Sequence, residues 1–112
     1  MQDVFIAAAV RTPIGAFLGS LSSLSAPRLG ALSIAEAISR ARIPTEKIEQ
    51  VVFGQVLQAG VGQAPARQAA IYASLPSSVG AVTVHKVCGS GMRAAYTPAN
   101  NSNCLPPTVS LR

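Results

Sequence analysis

The chain has 112 residues, enough for one domain that hides roughly two-thirds of its unfolded surface. Apolar residues make up 49%, which excludes disorder along the whole length. Nine basic and four acidic residues leave a net charge of +5, yet Arg11, Arg28, Arg40, Arg42, Lys47, Lys86 and Arg93 stand singly and no aromatic residue lies in a basic stripe, which argues against a nucleic-acid surface.

In chain order, "VFIAAAV" (Val4 to Val10) is far too short to span a membrane. Asp3 precedes it without a basic n-region, so it does not read as a signal peptide, and no Arg-rich leader is present. The cytoplasm is the expected compartment. Asp3 to Val10 reads instead as a strand covered on both faces, ended by Pro13 and Gly15 in "RTPIGAF". A helix is predicted from Ser25–Pro27 to Arg42, with Ala31, Ile34, Ala35, Ile38 and Ala41 on one face and Ile43-Pro44 closing it. "PTEKIEQ" offers a Thr cap and one helical turn. "VVFGQV" (Val51 to Val56) is the second strand, "QAGVGQAP" a loop, and Ala66 to Ser74 the second helix, ended by Leu75-Pro76. Gly80 to Val87 is the third strand, and a third helix begins near Cys88 or Gly89. This βαβαβα order predicts a layered α/β fold with a mostly parallel sheet and right-handed crossovers.

The character changes after Tyr96. "TPANNSNCLPPTVSLR" holds three prolines and three asparagines and shows no periodicity. Pro98 is expected to stop the third helix after about two turns, because its ring clashes with the preceding turn and it lacks an N–H. Residues 1–96 therefore read as the folded domain and 97–112 as an irregular tail.

The stretch "VTVHKVCGSGMRAA" (Val82 to Ala95) carries the chemistry. Cys88 stands where a β-branched run gives way to small residues and then to helix formers. A thiol attacks only as thiolate, and a helix N-terminus favours the anion through its partial positive charge and free N–H groups. Gly89 and Gly91 clear side chains from around the sulfur, so an acyl group could approach and backbone N–H groups could face an oxyanion. The nucleophile elbow of serine hydrolases uses the same strand–turn–helix logic. On residues alone, two readings stand: an acyl-accepting nucleophile, and a buried structural cysteine beside a tight turn.

Other chemistries fit less well. Cys88 and Cys104 could pair, but a disulfide suits a secreted chain. One His and no CxxC leave no metal spacing. Gly89, Gly91 and Ala94 match GxGxxA, the dinucleotide pattern, but no acidic residue follows about twenty positions on to hold a ribose. Gly60 and Gly62 begin a second such pattern, with Pro65 where the third glycine belongs.

"VHKVCGSGMRA" (Val84 to Ala94) resembles the acyl-enzyme signature of the thiolases, the acetyl-CoA acetyltransferase and 3-ketoacyl-CoA thiolase family. "AAVRTPIGAFLGSLSSLSAPRLG" (Ala8 to Gly30) is similar to the family's opening, and "VVFGQVLQAGVGQAPARQAA" (Val51 to Ala70) to its second strand, loop and helix. Residues 3 to 95 are covered nearly without gaps.

The resemblance implies a thiolase-like layered fold, of which this chain would hold part of the N-terminal half. It implies that Cys88 takes an acyl group from acyl-CoA as a thioester, which then forms a carbon–carbon bond with a second acyl-CoA. The reverse reaction cleaves a 3-ketoacyl-CoA, a step of fatty acid metabolism. Coenzyme A thioester is then substrate, with no permanently bound cofactor, no metal, no nucleic acid and no membrane partner. The full-length family implies a homo-oligomer, and the loop Gln58 to Gln68 is similar to a segment near the subunit interface. A plain strand–helix connection is the other reading of that loop.

Two departures stand out. His85 occupies a place where family members often carry Asn, and a strand would point residues 85 and 88 to opposite faces, against a Cys–His dyad. The family's catalytic histidine, second cysteine and much of its CoA pocket lie beyond the matched portion, and Cys104 in "NSNCLPPT" matches no family motif. The expectation is therefore a truncated acyltransferase, inactive alone. The alternative is a non-catalytic α/β fragment that associates through an exposed edge.

Overall fold

A computed structural model of the chain describes residues 4–99 and 108–111. Its elements are α1 (Ala26–Ala41), a 3-10 turn (Thr45–Lys47), β1 (Gln50–Gly54), α2 (Pro65–Tyr72), β2 (Gly80–Val84), α3 (Ser90–Ala99) and β3 (Thr108–Leu111). The three strands form one parallel sheet in the order β2-β1-β3. The fold is α/β, as expected.

α1 starts where Pro27 pre-sets the helical φ in the first turn, and it ends at Arg42, whose φ of 53° puts it in the left-handed region. Its inward face is Pro27, Gly30, Ala31 and Ile34, with Ile38 partly covered. Ala35, expected on that face, is exposed. The core joins Ile34 of α1 to Val51 of β1, Ala69 and Ala70 of α2, and Ile48, Leu75 and Val79 from the connections. Gly30 lets α1 come close to β1, since a Cβ there would meet the Phe53 ring at 2.6 Å. Arg28 of α1 lies 4.1 Å from the centre of the Tyr72 ring of α2 and ties the two helices at the rim.

Three expectations are corrected. Asp3 to Val10 was predicted as the first strand, but residues 4–10 form none, and Val4, Phe5 and Ile6 are 65%, 84% and 89% exposed. Both edges of β1 are taken, by β2 and by β3, so the segment has no ladder beside the centre of the sheet. Apolar character without a partner for the backbone does not make a strand. The described order is thus αβαβαβ.

The second correction lies in the stretch expected to be irregular. Thr97 to Ala99 continue α3, so the helix runs through Pro98 and ends one residue after it. Thr108–Leu111 pairs with Gln50–Phe53 and fills the second edge of β1, which would otherwise present unpaired N–H and C=O groups.

The third concerns Thr45. It offers no side-chain cap to the 3-10 turn; its hydroxyl donates instead to the Glu46 carboxylate at 3.0 Å. The backbone hydrogen bond at Glu46, and after it the bond from Thr45, hold the carboxyl below its ordinary range.

Candidate active site

Two turns lead from the ends of strands into helices. After β1, the chain passes through Gly60 and Gly62, both at positive φ, and reaches Ala64, also left-handed at φ 48°. Gln68 of α2 reaches back and its Nε2 donates to Val61 O at 2.9 Å and Gln63 O at 2.8 Å. Ala64 has no side chain to cap α2. The cap comes from the neighbouring strand, where Thr83 Oγ1 of β2 accepts the Ala66 N–H at 3.1 Å. This is the loop between Gln58 and Gln68.

The turn after β2 is tighter. β2 ends at Val84, three residues before the expected Val87, and α3 starts at Ser90. Val87 is left-handed, with φ 44°. Cys88 follows it, exposed and free. The alternative of a buried structural cysteine is thereby removed. Gly89 donates to Lys86 O at 2.9 Å, Ser90 N–H to Val87 O at 3.1 Å, and Gly89 O accepts the Arg93 N–H of α3 at 2.9 Å. Gly89 and Ser90 thus use their N–H groups inside the turn, although the sequence suggested that amides here could face an oxyanion. The turn bonds engage the amides of Lys86, Val87, Gly89 and Ser90.

Ser90 is the buried polar side chain of the described core, 4% exposed. Its hydroxyl accepts the Lys86 N–H at 2.9 Å and donates to Val87 O at 2.6 Å. Gly54 at the end of β1 sits against it: a Cβ there would lie 2.5 Å from the Ser90 carbonyl carbon and 2.7 Å from the Gly91 nitrogen. The start of α3 is therefore seated on the sheet.

His85 is not in a strand, so the opposite-face argument against a dyad loses its premise. The ring is occupied otherwise: Nδ1 accepts the Val87 N–H at 3.1 Å. Cys104 lies outside the described residues. A cavity of about 340 Å³ is lined by Arg11, Thr12, Pro13 and Ile14 and by no residue of the Cys88 turn. Among the described residues no three His, Cys, Asp or Glu side chains gather to hold a metal, and no helix is long and apolar enough to cross a membrane. Sequence reasoning missed Ser90, Thr83 and Gly54; the one local signal was the Ser between two glycines beside Cys88.

The described residues thus form an α/β layer with a free, exposed cysteine between a parallel strand and a helix. The family model described as "Thiolase, N-terminal domain" matches residues 4–104, and the chain belongs to that family. The match runs past the change in composition after Tyr96. Acetyl-CoA acetyltransferase 2 of Arabidopsis thaliana is 54% identical over 100 residues, 89% of this chain and 25% of its own length. Acetyl-CoA acetyltransferase of Cupriavidus necator is 53% identical over 100 residues, again 89% and 25%. A crystal structure of Acat5 thiolase from Ascaris suum in complex with coenzyme A superposes with a TM-score of 0.83 at 47% identity, covering 85% of this chain and 25% of that one. The chain thus spans about a quarter of the length of the relatives it matches.

Proposed function

We propose that this chain carries the acyl-accepting step of a thiolase-type acyl-CoA acyltransferase, with acetyl-CoA as donor. The observation that carries the reading is the exposed, free Cys88 at the β2–α3 turn of a chain from the thiolase family. The Cys88 Sγ attacks the acyl carbon, the bond from that carbon to the CoA sulfur breaks, and CoA leaves as the thiol with the proton that Cys88 gave up. A thioester on Cys88 and free CoA are the products. Cys88 stands two residues before the first residue of α3, exposed to an incoming acyl group.

The second half of the reaction, attack by another acyl-CoA, needs groups that these residues do not supply. The partner chemistry is therefore a coenzyme A thioester as substrate, and a homo-oligomer is the assembly proposed. An exposed free thiol suits a reducing compartment, and the cytoplasm is the one proposed; cell fractionation tests it.

A second reading rests on a different observation. Phe5, Ile6, Ile14 and Phe17 are each more than four-fifths exposed, a large apolar surface for a monomer. In this reading the chain only associates with a partner. Concentration-dependent sedimentation without acyl transfer supports it; a monomer at all concentrations sinks it.

Intact mass after exposure to acetyl-CoA, with peptide mapping and a far-UV spectrum, tests the first reading. One acetyl group on Cys88, absent from Cys88→Ala, is expected. A folded spectrum with no adduct, or with the adduct on Cys104 alone, rejects it.

A further inference from the structure

The residue next to the thiol sits in a conformation that its own type disfavours. Val87 is β-branched, and a β-branched residue at positive φ is an outlier, because its Cβ crowds the carbonyl oxygen. Burial does not hold it there, since Val87 is 61% exposed. The forces that do are hydrogen bonds on both sides of the residue. Its N–H donates to His85 Nδ1 at 3.1 Å, and its C=O accepts from the Ser90 hydroxyl at 2.6 Å and the Ser90 N–H at 3.1 Å. The same hydroxyl takes the Lys86 N–H at 2.9 Å, so it bridges the two peptides that flank the bend. Ser90 itself is fixed, because Gly54 allows β1 to abut its backbone.

We propose that Ser90 and His85 are positioning residues whose joint role is to hold Val87 left-handed and so set where Cys88 stands at the start of α3. The inference rests on the reading of Cys88 as nucleophile, and it adds why the thiol stays exposed just ahead of α3. Ser90 anchors the bend to the sheet. His85 closes it from the outer side with a side-chain-to-backbone bond two residues on, the spacing of an Asx turn. The ring accepting at Nδ1 carries its proton on Nε2. An asparagine at this position could make the same i to i+2 bond with its own side-chain carbonyl, whereas a leucine could not.

The test is alkylation of the full chain by iodoacetamide, with the labelling rate of Cys88 read by peptide mapping against Cys104 in the same molecule. In the unaltered protein the ratio should exceed that of the urea-unfolded chain. Ser90→Ala removes both side-chain bonds and should lower the ratio about tenfold, the scale of losing a buried hydrogen-bonding group. Val87→Gly removes the steric objection to positive φ, so Val87→Gly/Ser90→Ala should recover to within about twofold of the unaltered ratio. His85→Leu should lower the ratio about threefold, at the small end for one exposed hydrogen bond, while His85→Asn keeps it. An unchanged ratio in Ser90→Ala, no recovery in the double variant, or equal ratios for the Leu and Asn variants overturns the proposal. If Ser90→Ala unfolds by far-UV spectrum, refolding in the double variant supports the proposal and continued unfolding opposes it. Acetyl-CoA transfer is read separately: normal alkylation ratios without acetylation reject the acyl reading and leave the positioning intact, and the reverse pattern rejects the positioning alone.

Discussion

Two turns do the same job by different means. Each ends a strand, puts a non-glycine residue at positive φ and opens a helix, at Ala64 before α2 and at Val87 before α3. The β1–α2 loop is long and pinned from outside: Thr83 of another strand caps the helix, and Gln68 folds back over the loop. The β2–α3 turn is short and braced from within, by residues two and three positions from Val87. A remote cap couples the helix to the sheet, while the loop's shape rests on Gln68 together with the side-chain bonds of Gln55 and Gln58. A local brace couples the shape of the bend to the thiol it presents. Chemistry that needs a sulfur at one spot is served by the second.

The largest effect should come from Gly54→Ala, which sharpens the contrast by attacking the seat of the braced turn. The new methyl would meet backbone atoms of Ser90 and Gly91 that cannot swing aside. A loss of about 1–3 kcal/mol, the cost of overpacking, is expected in urea unfolding, together with slower Cys88 labelling. Stability lost with labelling unchanged would break the link between β1 and the thiol.

Thr83→Val comes next. It keeps the shape and deletes the remote cap of α2, so about 1 kcal/mol should be lost, as for other helix caps. Cys88 labelling should not change, and a matching fall in labelling would show that the two turns are coupled. Gln68→Met should cost about 0.5–1 kcal/mol and expose residues 58–63 to limited proteolysis, since the side chain holds two loop carbonyls. Unaltered cleavage there would mean that the glycine-bearing loop holds its own shape.

The smallest effect is electrostatic and belongs to neither turn, which makes it a control. Thr45→Val removes one of the bonds that lower the Glu46 pKa, so the carboxyl should titrate closer to its ordinary range by NMR. The sign follows from that direction. A depressed folded-state pKa stabilises the protein above the unfolded value, and this is lost as the pH falls through the folded value. The substitution should therefore flatten acid sensitivity slightly and leave Cys88 labelling alone.

Much of this molecule could be read along the chain. Pro27 and the Ala31, Ile34, Ile38 spacing mark α1, because a helix returns to the same face every three or four residues. "VVFG" and "GAVTV" mark β1 and β2, and the cysteine followed by Gly-Ser-Gly marks the turn into α3, because those local preferences need no distant partner. Tertiary structure decided the rest. Residues 4–10 are as apolar as any strand here, yet a strand exists only where another backbone accepts its hydrogen bonds, and β1 gives its edges to β2 and β3. Thr108–Leu111 follows prolines and looked irregular, yet it takes one of those edges. The brace around Val87 also depends on position in space, because a serine's hydroxyl is only a polar atom until the sheet seats it against the two peptides it joins.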